Sequence, residues 1–285
     1  MNLEDLVTVV IPVQNEEKNL PLCLDSVSRF KHVVIVDSGS TDATCEIAAR
    51  RGREVVQFKW NGEFPKKRNW MLRDYKFQTP WAFFLDADER LTDAFCEELA
   101  KELPESRHDA YFISMYNWFL GKMLKHGDVT RKTAIVRVGF GEYEKIMEHR
   151  WSHLDMEVHE HIIVKGTIGD IKTPIEHYDL RNLSSYYDKH NQYSDWESNR
   201  YLAIADELKP GTAVWSQLTK RQRIKYSLFE NKLLPWIYFF YVYIWKRGFL
   251  DGAAGYYFAL SGMAQRSKLQ AKVYEARQAR KAQGK

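Results

Sequence analysis

The chain has 285 residues, of which 45% are hydrophobic and 14% aromatic; this composition is typical of a folded globular protein and excludes a disordered one. Its three cysteines form no CxxC pair, which argues against a disulfide scaffold or a thiolate zinc site and favours a reducing cytosol. The N-terminal sequence has no cationic stretch followed by a long apolar one, so we expect no signal peptide, and no apolar run is long enough to predict a simple transmembrane helix.

The charge of the chain is unevenly distributed. From Trp215 to the end there are 14 Lys and Arg residues against three acids, a net charge of +11, whereas the rest of the chain carries −7. Such an asymmetry predicts that the C-terminal quarter meets an anionic partner, and nucleic acid and a phospholipid surface are the two candidates.

The first hundred residues predict strands alternating with helices, the pattern of a parallel sheet covered on both faces. Strands are predicted at 7–11, 33–36, 54–58 and 81–85, and helices at 20–30 and from a cap at Asp42 to Gly52. Ligands of such sheets bind beyond the carboxyl ends of the strands. The residues that follow those ends are polar: Asn15, Glu16, Asp37, Asp86 and Asp88.

The rest of the chain is less regular. It predicts strands at 111–113, 134–136 and 158–164, one amphipathic helix at 183–205, a break at 209–211 and an intensely aromatic stretch at 233–245. We therefore divide the chain into three parts, 1–109, 110–208 and 209–285.

Three short motifs could carry chemistry. Asp86 and Asp88, one residue apart after a buried strand, could share Mg²⁺ or Mn²⁺ on a diphosphate, although such a pair on its own is more often a solvated turn. Asp37 could accept hydrogen bonds from a base or a ribose, or simply cap its own turn. The cations at 66–68 could reach a diphosphate, or form a solvated basic face.

Four segments in this order resemble the family 2 inverting glycosyltransferases of GT-A fold. They are Val-Ile-Pro-Val-Gln-Asn-Glu-Glu (10–17), Val-Asp-Ser-Gly-Ser-Thr-Asp (36–42), Lys-Lys-Arg-Asn (66–69) and Phe-Leu-Asp-Ala-Asp-Glu (84–89). Further segments around 119–127, Arg137, 158–160 and 174–178 are similar to the bacterial branch that adds sugars to lipopolysaccharide core, such as the β-1,4-glucosyltransferase group. The resemblance covers roughly residues 5 to 200.

The resemblance implies a fold and a site. The expected fold is α/β, a GT-A domain whose Rossmann-like sheet binds the nucleotide-sugar with residues 1–109 and the acceptor with 110–208, followed by a helical, membrane-associating extension at 209–285. A UDP-sugar is the implied donor, and Mg²⁺ or Mn²⁺ the implied cofactor. Asp37 is implied to contact the base, in a pocket lined by Pro12, Asn15 and Glu16. Arg68 and Lys67 are implied to contact the diphosphate, and Asp86 to lie near the ribose or donor sugar. The metal is implied to be held mainly by Asp88, with Asp86 and His177. Structural burial of His177 is the alternative.

An inverting transfer needs a carboxylate that deprotonates the acceptor hydroxyl. The best candidates lie in Met156–His161, where on a strand Glu157 would share a face with His159 and His161 while Glu160 points the other way. The resemblance favours Glu160, with Glu157 as the alternative and Asp155 as a weaker third. A zinc site of His149, His153, His159 and His161 is disfavoured by their loose spacing.

The aromatic stretch at 233–245 is flanked by cations, a combination suited to a membrane interface. We expect an anionic membrane surface and a lipid-linked or lipopolysaccharide-core saccharide acceptor as partners, no nucleic acid, and a peripheral location on the cytoplasmic face of the inner membrane. A buried helix or a dimer interface is the alternative for this stretch. For the whole chain, the alternatives to a transferase are a membrane-docking sugar-nucleotide binder without turnover and a phosphohydrolase using Asp86 and Asp88.

Overall fold

The computed structural model describes residues 3–144, 162–218 and 220–282, and these form two compact units. The first unit comprises the described residues of 3–123, 129–144 and 162–181, and the second those of 124–128, 182–218 and 220–282. The contacts thus divide the chain after residue 181, whereas the sequence-based divisions lie after residues 109 and 208.

The first unit is a mixed α/β structure built on one large sheet. Its strands are β1 Val7–Val13, β2 His32–Asp37, β3 Glu54–Gln57, β4 Trp81–Phe84, β5 Glu89–Arg90, β6 Ala110–Phe119, β7 Lys122–Leu124 (whose last residue belongs to the second unit), β8 Thr130–Arg137, β9 Gly141–Tyr143, β10 Ile162–Val164, β11 Ile168–Asp170 and β12 Ile175–His177. Its helices are α1 Leu3–Leu6, α2 Leu20–Ser26, α3 Thr44–Arg50, α4 Lys67–Asp74 and α5 Asp93–Glu102. The expected alternation of strands and helices is therefore confirmed.

The order of the strands positions the site. The main path runs β3-β2-β1-β4-β8-β6-β12-β5, with β7 and β11 also paired to β6, while β9 and β10 form a separate ladder. Strands β1 to β4 are parallel, so the carboxyl ends of β1, β2 and β4 meet at one edge. Strand β8 then runs antiparallel to β4 and brings residues from beyond position 130 to the same sheet. This is a Rossmann-like half extended by antiparallel strands.

The β-branched strand sequences form the centre of the core, as their hydrophobic runs predict. Every residue of β1 is buried, and the two faces of the sheet pack into separate apolar clusters, with Ile11, Phe83 and Phe95 on one side and Val10, Phe84 and Met71 on the other. Strands buried on both faces are expected where helices cover a parallel sheet.

The helix predictions in the first unit need adjustment at their ends. The helix predicted for 20–30 stops at Ser26, and the helix predicted to be capped by Asp42 has Ala43 at its N-cap position. Asp42 still stabilises that end, because its carboxylate accepts a hydrogen bond from the amide of Thr44 at 3.0 Å and another from the amide of Glu17 at 3.1 Å.

The second unit is helical. It contains α6 Leu183–Ile204, a 3₁₀ turn Ala205–Glu207, α7 Ala213–Gln217, α8 Lys220–Ser227, α9 Leu234–Phe240, a π-helical turn Tyr241–Trp245, a 3₁₀ turn Gly248–Asp251 and α10 Gly252–Ala282. The side chain of Asn182 caps α6 by accepting from the amide of Ser185, in agreement with the helix predicted at 183–205. No described helix combines the length and the apolar character that a membrane crossing requires.

Candidate active site

Asp37 ends strand β2 and organises the turn that follows it. The carboxylate accepts hydrogen bonds from the amides of Gly39 at 3.0 Å and Ser40 at 3.1 Å, and from the Ser40 hydroxyl, and the residue is 1% exposed. Burial alone would raise the pKa of Asp37, but the hydrogen bonds from Ser40 outweigh it and lower the pKa. Asp37 is therefore held as a carboxylate, and the turn-capping role that the sequence allowed is present.

The segment after β1 is joined to the same turn. Asn15 has a positive φ of 55° and accepts from the amide of Thr41 at 2.8 Å, while its own amide donates to the Ser40 hydroxyl at 2.9 Å. The amide of Glu16 donates to the Thr44 hydroxyl at 2.8 Å. Asn15 and Glu16 thus lie beside the turn that Asp37 organises, whereas Pro12 is buried within β1.

The cations at the start of α4 point into the structure. Lys67 is 2% exposed and its Nζ donates to the carbonyl of Val13 at 3.1 Å, at the end of β1. The Arg68 guanidinium pairs with Asp86 at 2.5 Å and lies over the Tyr143 ring. The solvated basic face that we considered for this segment is wrong, because both side chains are held at the strand ends.

Asp86 is the centre of a network of charges. One carboxylate oxygen accepts from Arg68, and the other accepts from Lys132 Nζ at 2.8 Å. Lys132 also bridges to Glu89, at 2.7 Å to Oε1 and 2.9 Å to Oε2, and Glu89 in turn accepts from the amide of Asp86 at 2.9 Å. Two cations and two carboxylates therefore alternate at the end of β4.

The electrostatics of this network follow from its geometry. Desolvation would raise the pKa of Asp86, but Lys132 and Arg68 hold that pKa well below its usual range. Glu89 is more deeply buried, and desolvation raises its pKa despite Lys132. Burial would lower the pKa of Lys132, but Asp86 and Glu89 raise it, so the ammonium is retained.

Asp88 has different partners from Asp86. Its Oδ2 lies 3.3 Å from His177 Nε2 and 3.8 Å from the guanidinium of Arg181. The other ring nitrogen of His177 is 3.0 Å from the side-chain oxygen of Asn117, and the amide of Tyr178 donates to the Asp88 carbonyl at 2.7 Å. The carboxylate of Asp88 and the imidazole of His177, 89 residues apart in sequence, are thus brought together.

Sequence reasoning missed several members of the site. Lys132 and Glu89 complete the network around Asp86, and Arg181 lies near Asp88, donates from Nε to Oδ1 and from a terminal nitrogen to Oδ2 of Asp179, and reaches Glu16 at 3.5 Å. The strong pairing raises the pKa of Arg181 although burial alone would lower it. Glu89 was within a quoted motif, but no sequence signal linked it to Lys132, its partner 43 positions away.

The remaining candidates lie in the stretch 145–161, outside the described residues. They are the base candidates Glu160, Glu157 and Asp155 and the histidines His149, His153, His159 and His161. Their roles stay predictions. Among the residues that are described, no group of three or more His, Cys, Asp or Glu side chains is arranged to hold a metal ion by itself.

Comparison with known proteins identifies the family. The model of the family described as "Glycosyl transferase family 2" matches residues 8–153, just over half of the chain. The chain belongs to glycosyl transferase family 2. It is therefore a glycosyltransferase, and the resemblance seen in the four motifs is confirmed.

Individual relatives agree with this membership. The lipopolysaccharide core biosynthesis glycosyltransferase LpsC of Rhizobium meliloti is 27% identical over 270 residues, which cover 92% of this chain and 89% of LpsC. An uncharacterized glycosyltransferase of Mycobacterium bovis is 46% identical over 52 residues, 18% of this chain and 24% of its own length.

Among solved structures, glucosyl-3-phosphoglycerate synthase from Mycobacterium tuberculosis, in complex with Mn²⁺, UDP-glucose and phosphoglyceric acid, is 23% identical with a TM-score of 0.31. The match covers 41% of this chain and 44% of that one, so the chain spans less than half of the synthase.

Proposed function

We propose that this family 2 glycosyltransferase moves a sugar from a UDP-sugar to a saccharide of the lipopolysaccharide core, or another lipid-linked saccharide, with inversion at the anomeric carbon. One observation carries the proposal: the polar groups that follow β1, β2 and β4 converge on one edge of the sheet. They supply a turn fixed by Asp37, a cationic network around Asp86, and the pair of Asp88 and His177.

The donor nucleotide belongs beside the Asp37 turn. Asp37 stays ionised and fixes residues 38–40, and Asn15 fixes Thr41, so this wall is rigid before a ligand arrives. A preorganised wall lowers the entropy that binding must overcome. The fold that we propose for the donor half is GT-A, and Asp37 would accept from the base.

The diphosphate belongs near the end of β4. Arg68 and Lys132 both reach this point, and their charges are offset by Asp86 and Glu89 until an anionic ligand arrives. Guanidinium and ammonium groups bind phosphate oxygens through charge-assisted hydrogen bonds. These cations would orient the leaving diphosphate.

A divalent cation fits Asp88 and His177 better than it fits Asp86. Asp88 Oδ2 and His177 Nε2 already converge to 3.3 Å; the carboxylate is a donor that Mn²⁺ or Mg²⁺ accepts alongside phosphate oxygens, and the imidazole nitrogen adds a donor that suits Mn²⁺ better than Mg²⁺. Both oxygens of Asp86 instead accept from cations. When bound, the ion would offset the negative charge of the departing diphosphate.

The protein's own step in the reaction is the removal of the acceptor proton. We assign this to Glu160, with Glu157 as the alternative: the carboxylate takes the hydroxyl proton as the oxygen attacks the anomeric carbon from the side opposite the diphosphate. General-base assistance of this kind contributes ~10²–10⁴-fold to the rate.

The acceptor class rests on the relative that matches along most of its length. LpsC is named a lipopolysaccharide core biosynthesis glycosyltransferase, and this chain covers 89% of it. We therefore propose a core or lipid-linked saccharide as acceptor, and a peripheral location on the cytoplasmic face of the inner membrane.

Calorimetric titration of UDP, GDP and CMP, each with and without Mn²⁺, tests the donor site. We expect UDP to bind in a Mn²⁺-dependent manner and Asp88→Asn to remove that dependence. Absence of binding by all three nucleotides would overturn the proposed donor site. Binding of UDP without transfer from any UDP-sugar would favour a binding protein, and release of inorganic phosphate from phosphomonoesters would favour the phosphohydrolase.

A further inference from the structure

An apolar surface in the second unit is left exposed by the helix and turn that form it. Six side chains of α9 and its flanking residues, each between 46% and 79% exposed, make up what we call the aromatic face: Leu233, Trp236, Phe240, Tyr241, Ile244 and Trp245. Four of them, from Phe240 to Trp245, line a shallow groove of about 310 Å³. Contiguous exposed apolar surface of this kind marks an interaction site.

The aromatic face is not the packing face of its own helix. Phe239 and Tyr243, on the other side of α9 and the π-turn, pack on Tyr256 of α10 with ring centroids 5.9 and 5.6 Å apart. Tyr238 lies so close to α10 that a Cβ at Gly262 would come within 2.3 Å of its ring. The helical hairpin is thus already closed on its inner side, and the outer side is available to a partner.

The π-turn shapes the aromatic face. A π-turn contains one residue more per turn than an α-helix, and such insertions are frequent at functional sites. Here the turn Tyr241–Trp245 presents Ile244 and Trp245 together after Phe240. After the turn, Arg247 has a φ of 59°, and a Cβ at Gly248 would meet the carbonyl oxygen of Val242 at 2.8 Å. This close approach fixes the exit of the turn.

Charge identifies the partner. Residues 231–250 contain three cations, Lys232, Lys246 and Arg247, and no acid, and all three cations are exposed. They stand at the two ends of the aromatic face, one before α9 and two directly after the π-turn. Rings at headgroup depth bordered by Lys and Arg are the arrangement by which proteins lie in the surface of an anionic bilayer.

We propose that the aromatic face is a docking surface for an anionic phospholipid bilayer, with Trp236, Phe240, Ile244 and Trp245 inserted at headgroup depth and Lys232, Lys246 and Arg247 on the lipid phosphates. The surface lies along the bilayer and does not cross it. Such a surface would hold the enzyme next to a lipid-linked acceptor. Its biological meaning therefore rests on the proposed function, whereas the test of bilayer binding does not.

Vesicle sedimentation tests the surface on the full-length protein. Phosphatidylcholine vesicles with and without phosphatidylglycerol serve as probes, and the expected result is binding to the anionic vesicles that weakens at high salt. Trp245→Ser should weaken binding by about tenfold and Lys246→Gln by about fivefold. The matched controls are Tyr274→Ser, an aromatic that is 66% exposed on α10, and Lys101→Gln, an exposed cation of the first unit; neither should change binding.

Three outcomes would overturn the proposal. One is equal loss in the control variants, another is equal binding to neutral and anionic vesicles, and the third is a Trp245→Ser variant that dissociates a dimer without affecting vesicle binding. UDP titration of the same variants separates this surface from the proposed donor site. Lost vesicle binding with intact UDP binding is the expected result, whereas vesicle binding without any UDP binding would refute only the proposed function.

Discussion

Lys132 pairs with both carboxylates at the end of β4, Asp86 and Glu89, and its removal gives the sharpest test of the site. In a Lys132→Met variant, Glu89 would lose an ion pair of 2.7 Å while remaining only 2% exposed. Removing one partner of a buried pair costs about 3–5 kcal/mol. Asp86 contributes less to this loss, because it is about one-third exposed and keeps Arg68. We therefore expect a loss of about 3 kcal/mol in the free energy of unfolding at neutral pH.

The pH dependence of this loss has a definite sign. Desolvation raises the pKa of Glu89 in the folded protein, and without Lys132 that pKa would rise further. A carboxyl group with a raised folded-state pKa opposes folding above its unfolded pKa, about 4.3, and ceases to do so below it. Lys132 also lowers the pKa of Asp86, so its removal costs stability through Asp86 at neutral pH as well, and this part of the gap between wild type and variant likewise shrinks as the pH falls. The gap between wild type and variant should therefore be widest near neutral pH and close as the pH falls toward about 4.3.

Urea denaturation at pH 7.5 and pH 4.5 measures both effects. Lys101→Met, at an exposed position near the end of α5, is the matched control and should leave stability unchanged at both pH values. Adding Glu89→Gln to Lys132→Met removes the uncompensated charge and should recover at least about 1 kcal/mol. If Lys132→Met lowers the free energy of unfolding by less than about 1 kcal/mol, or by the same amount at both pH values, then Lys132 does not stabilise the carboxylates at the end of β4 in the way argued.

Three further predictions concern ligand binding and turnover. Asp88→Asn should abolish the Mn²⁺ dependence of UDP binding. The circular dichroism should stay unchanged, because α5, which follows the site, is capped independently by Thr92. Full retention of the Mn²⁺ dependence in calorimetry would show that Asp88 is not a metal ligand. Asp37→Ala should lower the free energy of unfolding by about 1–3 kcal/mol, because three donors of its turn lose their acceptor, and should weaken UDP binding; a stable variant with intact binding would contradict both roles. Glu160→Gln should keep UDP affinity and reduce transfer by ~10²–10⁴-fold, measured as product per enzyme, whereas Glu157→Gln should reduce it less; the reverse order would transfer the base to Glu157.

The elements that sequence predicted well are those fixed by local hydrophobic patterning. Strands β1, β2 and β4 appeared as β-branched or aromatic runs, and they are fully or almost fully buried in the sheet. Because the strands are parallel, the polar residues after them had to meet at one edge. Hydrophobic patterning alone therefore locates Asp37, Asp86 and Asp88 at the ends of β2 and β4.

The residues that sequence missed depend on contacts between distant segments. Lys132 meets Asp86 from 46 positions away because β8 pairs antiparallel with β4, and Arg181 meets Glu16 from 165 positions away. A single lysine in a strand has no local property that predicts such a partner. The π-turn was equally hidden, since an aromatic run of this composition is compatible with an unbroken α-helix.

We propose that the two carboxylates of the motif at 86–88 have different roles, because their neighbours differ. Asp86 accepts from Arg68 and Lys132, so its charge is already offset, and a divalent cation placed there would compete with two cations that the fold holds in position. Asp88 instead has the imidazole of His177 at 3.3 Å, whose ring nitrogen can donate a lone pair to a metal, and the Arg181 guanidinium at 3.8 Å, whose charge is already paired with Asp179. Coulomb repulsion therefore favours the ion at Asp88 and leaves Asp86 to hold Arg68 and Lys132 where a diphosphate would bind. If this division is correct, Asp86→Asn should weaken UDP binding equally with and without Mn²⁺, whereas Asp88→Asn should weaken only the Mn²⁺-dependent part. Calorimetry that found the metal dependence lost in both variants would show instead that the two carboxylates share the ion.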